Sequence, residues 1–116
     1  MEFDENKPIY LQISDRFCDD ILSGKLKPED RIPSVREWGA SIGVNPNTVA
    51  RSYDVLSDMG VISNKRGIGF FVSATAREIV LEQQKKKFLE EELPRIVQKA
   101  EWLGLDLKSI LEPLKK

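Results

Sequence analysis

Tyr10, Ile13, Phe17 and Ile21 recur three and four residues apart, the period of one face of an α-helix. The spacing predicts a first helix over residues 8–23. Pro8 opens it, where a missing N–H costs nothing, and Gly24 stops it. The stripe is read as facing a core, with Cys18 in or beside it. Lys27-Pro28-Glu29-Asp30 is a turn, and Arg31-Ile32-Pro33 is too short for more than a scrap of strand. Ser34-Val35-Arg36-Glu37 then matches a capping box, in which the serine hydroxyl serves the N3 amide and the glutamate reaches back to the cap amide. A second helix of about ten residues follows, with Val35, Trp38 and Ile42 on its apolar side and Gly43 at its end. Gly39 inside it costs up to ~1 kcal/mol relative to alanine, a cost that close helix packing would explain.

Only Gly43 and Val44 separate this helix from Asn45-Pro46, an N-cap residue followed by proline at N1. A third helix therefore begins almost at once and runs to about Met59. Two helices joined by so tight a glycine-containing turn form a helix-turn-helix. Val61-Ile62-Ser63 and Phe70-Phe71-Val72 are β-prone runs around Asn64–Gly69, which predicts a hairpin, or wing, with Lys65 and Arg66 near its tip. Helix returns from about Thr75. Leu89, Leu93, Ile96, Ala100 and Leu103 alternate spacings of four and three, suited to a helix–helix seam, with Pro94 expected to kink or break the helix nearby. Gly104 ends it, and Asp106 caps a last short helix. The expected architecture is mainly α: a winged helix-turn-helix with a two-stranded wing over residues 1–73, and a C-terminal helical dimerisation tail over residues 74–116.

Composition narrows the function. The chain has 116 residues, one cysteine and no histidine, with 18 basic against 19 acidic side chains. One cysteine forms no intrachain disulfide, and the usual Cys/His metal cluster is missing. No metal and no cofactor are expected. Without histidine or a Gly-rich phosphate loop, the common acid, base and nucleophile sets of enzymes are absent, so an enzyme is not expected. The acidic start Met1-Glu2-Phe3-Asp4-Glu5 is unlike a signal peptide, and no apolar run is long enough to cross a bilayer. A cytoplasmic protein with no membrane partner is expected. The net charge of −1 hides an asymmetry: residues 31–73 carry five basic and three acidic side chains, whereas residues 1–30 carry four and eight. Basic surface at the face that meets phosphate is what DNA binding requires, while the low total predicts weak non-specific affinity.

Around the third helix at ~100° per residue, Val49, Tyr53 and Leu56 point to the core and Asn47, Thr48 and Arg51 point away, within the first turn and a half. A recognition helix presents side chains to the major groove from that place. Arg51 suits a guanine edge, Asn47 an adenine, and Thr48 a base, a methyl group or a phosphate. Asn45, at the start of the same helix, belongs to the candidate DNA-binding set. Arg36, in the first turn of the second helix, is within reach of phosphate or a base edge. Lys65 and Arg66 suit a backbone or minor-groove grip, with Gly67 permitting close approach. Solvated polar residues are the plainer alternative for each. Lys85-Lys86-Lys87, balanced by Glu90-Glu91-Glu92, reads as a solvated face.

Pro8-Ile9-Tyr10-Leu11-Gln12-Ile13, Arg31-Ile32-Pro33-Ser34-Val35-Arg36-Glu37 and Gly43-Val44-Asn45-Pro46-Asn47-Thr48-Val49-Ala50-Arg51-Ser52-Tyr53 occur in the order seen in the GntR family of bacterial regulators, which the chain resembles from about residue 8 to 73. The short helical tail is similar to that of the YtrA subfamily. The resemblance implies a homodimeric transcription factor, usually a repressor, that binds an inverted-repeat operator in double-stranded DNA. It matches Arg36, Asn47 and Thr48 to DNA contacts, and Gly67 to a wing-tip glycine entering the minor groove. Ala50 departs from the many members that carry a DNA-contacting arginine there; here the arginine is Arg51, so base preference does not transfer. The Leu89–Leu103 stripe, in a tail too small to bury it, points to the dimer contact. A winged-helix module for protein partners is the alternative function. An unknown small-molecule effector, in a pocket between tail and winged domain lined by Trp102, stands beside the plainer role of Trp102 in packing.

Overall fold

The computed structural model describes residues 3–115, in which six α-helices and three short strands follow the order α1 (Ile9–Leu22), β1 (Arg31–Ile32), α2 (Val35–Ile42), α3 (Pro46–Asp58), β2 (Ile62–Lys65), β3 (Gly69–Val72), α4 (Ala76–Lys87), α5 (Leu93–Trp102) and α6 (Leu107–Leu111). The chain divides into two compact units, the first running to Leu81 and the second beginning at Glu82. The first is a winged helix-turn-helix. Its core gathers Ile13, Phe17, Cys18 and Ile21 from α1, Val49, Tyr53 and Leu56 from α3, and Val61, Ile62 and Val72 from the wing. Each large aliphatic side chain taken fully from water contributes ~1.5–3 kcal/mol, so the α1–α3 pairing holds most of the unit together. The Tyr53 ring meets Phe17 and Phe70 edge-on at 5.6 and 5.0 Å, and its hydroxyl donates to the Pro33 carbonyl. Burial keeps the Cys18 thiol protonated, pushed up to about 11 with help from Asp15 and Asp19, so it behaves as a core residue.

Local signals set most of the helix ends. Ser34 and Glu37 close the capping box in both directions, and Gly43 ends α2 in the left-handed region at φ +70°. Asn45 caps α3 with its side chain on the Asn47 amide, and Pro46 occupies the first turn. Gly39 is buried where the two helices turn: an added Cβ would lie 2.6 Å from the Val44 carbonyl oxygen, so the packing suspected there is a backbone contact of the turn itself. Pro8 sits one place before the helix as its N-cap, outside the first turn expected of it.

Three features add to the expected fold. The wing hairpin β2–β3 is present as expected, and Arg31 and Ile32, expected as no more than a scrap of strand, pair antiparallel with Phe71 and Phe70 to complete a three-stranded sheet in the order β1-β3-β2. Two residues suffice because Ile32 is buried and the flanking amides of Glu29 and Val72 bond across the same edge. The core also continues past residue 73: Ala76 and Val80, one helical turn apart, are both buried, and Arg77 donates to the Leu22 carbonyl at 2.6 Å. Finally, the α-helix is interrupted beside Pro94 as expected, and the interruption is a change of winding. A π-helical turn, Phe88–Glu92, precedes the proline, with the Leu93 amide bonded to the Phe88 carbonyl. Proline lacks an N–H and crowds the carbonyl four residues back, and the wider turn absorbs both defects.

In the second unit, Gly104 reverses the chain after α5 at φ +66°, with the Leu105 amide on the Ala100 carbonyl, and the Asp106 side chain caps α6. Pro113 falls in a short 3₁₀ turn, Glu112–Leu114, that follows α6. No helix of the described residues is long and apolar enough to cross a membrane.

Candidate nucleic-acid interface

The buried face of α3 carries Val49, Ser52, Tyr53 and Leu56, which leaves Asn47 and Arg51 exposed on the opposite face and Thr48 half-buried at its border. The first turn is held from three sides. Asn45 and Pro46 set its start, the α2–α3 turn is packed through Gly39, and two buried hydroxyls dock it on α1. Ser52 donates to the Tyr10 carbonyl of α1 at 2.7 Å, and Ser14 of α1 donates to the Ser52 carbonyl at 3.4 Å. A helix anchored this way presents its outer residues in a fixed pose. The backbone amides of its first turn add partial positive charge where an anion would approach.

The predicted side chains differ in how far they are committed. Asn47 is exposed. Asn45 is exposed too, but its Oδ1 accepts from the Asn47 amide at 2.8 Å, so its first role is the cap, with only the amide nitrogen left over. Arg36 is exposed in the first turn of α2, beside the capping box. Arg51 is exposed with its guanidinium carbon 4.1 Å above the centre of the Tyr10 ring. Lys65 lies across the outer face of the wing, 4.4 Å above the Phe71 ring and 3.7 Å from a Glu29 carboxylate oxygen, so part of its charge is already met. Arg66 and Gly67 form the exposed tip, where the Ile68 amide bonds the Lys65 carbonyl at 2.8 Å. Gly67 adopts φ +79° with nothing within 4 Å of an added Cβ, so its freedom serves the turn and leaves the tip clear.

Two residues outside the predicted set belong to this surface. Arg31 lies on the outer face of the sheet with Lys65, its guanidinium filling the place a side chain at Gly69 would occupy, 3.2 Å from an ideal Cβ. The tertiary pairing of β1 brings it there, and a two-residue strand leaves almost no signal in sequence. Tyr10, which its spacing places in the core stripe of α1, is only half-buried and lies under Arg51. Its three- and four-residue spacing to core positions conceals a lateral orientation.

Residues 9–72 match the family described as bacterial regulatory proteins, gntR family. The chain belongs to the gntR family. Its members are regulators, and this one is a helix-turn-helix transcription regulator and not an enzyme. Along 94% of its length it is 36% identical to the HTH-type transcriptional repressor YtrA of Bacillus subtilis, covering 83% of that protein, so the likeness to YtrA includes the tail. A crystal structure of a GntR-family regulator from Bacteroides thetaiotaomicron is 49% identical with a TM-score of 0.71, each chain covering 88% of the other. The DNA-binding domain of AraR, a structure solved in complex with the operator ORR3, is 29% identical with a TM-score of 0.56, over 63% of this chain and 86% of that one. That overlap is the size of the winged unit, the part of the gntR fold that carries α3 and the wing.

The second unit carries most of the chain's exposed large apolar residues. Leu89, Leu93, Ile96 and Leu103 of the expected seam are 61, 37, 50 and 60% exposed. Ala100, placed with them from its spacing, is only 6% exposed and has little surface left to offer a partner. Leu89 lies in the π turn, whose wider winding rotates it from the line that regular α-helical spacing would give. Trp102 is 76% exposed.

Proposed function

We propose that this gntR-family regulator is a homodimeric repressor that binds an inverted-repeat operator by inserting the first turns of α3 into successive major grooves. The exposed polar face formed by Asn47 and Arg51, beside Thr48, on a helix whose start is capped and docked carries this reading. Arg36 from α2 and Lys65, Arg66 and Gly67 from the wing flank it as phosphate and minor-groove contacts. The dimer is held by Leu93, Ile96 and Leu103, with Leu89 at the edge. A unit of this size cannot bury that much apolar surface alone, and a second copy offers the same stripe in return. Two-fold symmetry then sets two recognition helices roughly 34–36 Å apart, or a multiple of that. Repression follows from occupying promoter DNA. Residues 1–73, with the first turns of α4 packed into their core, act as the DNA-reading part and the rest of 74–116 as the dimerising part, in a cytoplasmic protein.

Selection from a pool of random duplexes with the full chain tests the reading. The expected product is a pair of related half-sites bound by a dimer, with affinity falling steeply as salt rises. Failure to enrich any duplex, with no salt-dependent binding, would return the protein-interaction alternative. Enrichment of a single half-site by a protein that stays monomeric in light scattering would remove the dimer.

A further inference from the structure

We propose that Tyr10 is a positioning residue of the DNA-reading surface: its ring holds the Arg51 guanidinium in the pose that reads a base. The proposal rests on the DNA-binding reading above and adds to it a residue of α1.

The guanidinium carbon of Arg51 lies 4.1 Å above the ring centre of Tyr10, close enough for a cation–π contact. Among the described residues Arg51 makes no hydrogen bond and no ion pair, so the ring is what fixes its direction. The contact uses no hydrogen-bond acceptor of the protein, so the N–H donors of the guanidinium are not spent on one and stay available for a guanine edge. The platform itself is anchored. The backbone carbonyl of Tyr10 accepts from Ser52 at 2.7 Å and Ser14 at 3.0 Å, and Ser52 is the residue next to Arg51 on α3. Ser52 is fully buried and Ser14 nearly so. The Ser52 hydroxyl therefore ties the backbone under the ring to the helix that carries the arginine. An arginine loses much side-chain freedom when it binds, and one already restrained loses less.

The test compares Tyr10→Phe, Tyr10→Leu and Tyr10→Trp, each in the native and the Arg51→Ala background, on the duplex selected by the native chain. Affinity is measured by fluorescence anisotropy, and base choice by substituting each position of one half-site. Tyr10→Leu is expected to weaken binding roughly three- to tenfold and to relax base choice at the same position that Arg51→Ala relaxes. Phenylalanine and tryptophan keep the aromatic face and keep the native base choice. In the Arg51→Ala background, leucine at position 10 adds no further loss. The proposal is overturned if leucine weakens binding equally in both backgrounds, if it leaves base choice untouched, or if phenylalanine loses as much as leucine. Should Tyr10→Leu melt before it binds, the phenylalanine and tryptophan variants decide, since loss of base choice in either contradicts the ring's role. Native protein that selects no duplex at all would instead overturn the DNA-binding reading beneath.

Discussion

Substituting Gly39 by alanine separates local helix preference from the packing of the turn, because the two predict opposite signs. In an isolated helix the change would stabilise by up to ~1 kcal/mol. In this protein the new methyl would lie 2.6 Å from the Val44 carbonyl oxygen and 3.5 Å from Pro46 Cα, both backbone. Reaching ordinary contact requires the turn to move by about 0.8 Å, and such overpacking costs typically ~1–3 kcal/mol. At the middle of that range the clash prevails by about 1 kcal/mol, which lowers the melting temperature of a domain this size by about 4–8 °C. The assay is thermal unfolding by circular dichroism, with Ala40→Gly on the exposed side of the same helix as calibration, expected to cost ~1 kcal/mol from propensity alone. Because the displaced atoms lead directly into Asn45 and Pro46, DNA affinity should fall further than stability alone explains. A Gly39→Ala protein that melts at or above the native temperature would refute the turn geometry on which the pose of α3 depends.

Other perturbations reach different parts of the account. Ser34→Ala removes the α2 cap and should cost about 0.5–2 kcal/mol in chemical denaturation. Bonding to Ser34, through its hydroxyl and then its amide, holds the Glu37 carboxyl below its ordinary value of 4.5, so its contribution is complete above that value and is lost as pH falls through the folded-state pKa; Glu37→Gln should lower the neutral plateau of a stability-against-pH curve slightly and leave its acid end unchanged, so that the acid limb is flatter. Arg51→Ala should cost ~1–3 kcal/mol of operator binding with relaxed choice at one base pair, whereas Arg66→Ala should weaken all duplexes alike and reduce the salt slope by about one. Ile96→Glu, on an apolar side chain that is half exposed, should shift light scattering from dimer to monomer without lowering the melting temperature of the winged unit.

Features written in neighbouring residues were legible before any coordinates. Ser34 with Glu37, Asn45 with Pro46, and the glycines at 43 and 104 each solve a local problem of unpaired amides or left-handed backbone, and the structure uses them as read. The outer face of α3 followed from its period, since Val49, Tyr53 and Leu56 leave only one opposite side. What escaped was set by partners distant in sequence. Ile32 becomes a strand residue only because Phe70 lies beside it, and Arg31 reaches the wing for the same reason. Tyr10 shares the spacing of core residues, and only the arrival of α3 decides that its ring goes sideways under Arg51. Ala76 and Val80 carry no mark that distinguishes a core helix from a tail. Pro94 announced a defect but not its remedy, because a π turn needs no particular residue type.

The central claim is that the Asn47–Arg51 face of α3 enters a major groove. Methylation interference on the selected duplex tests it in one experiment, because dimethyl sulfate marks guanine N7 in the major groove and adenine N3 in the minor groove. The account predicts that guanines methylated at N7 within each half-site are excluded from the bound fraction, and that Arg51→Ala erases the exclusion at one of them. Binding indifferent to every N7 methyl group, with interference at adenine N3 alone or nowhere, would contradict it.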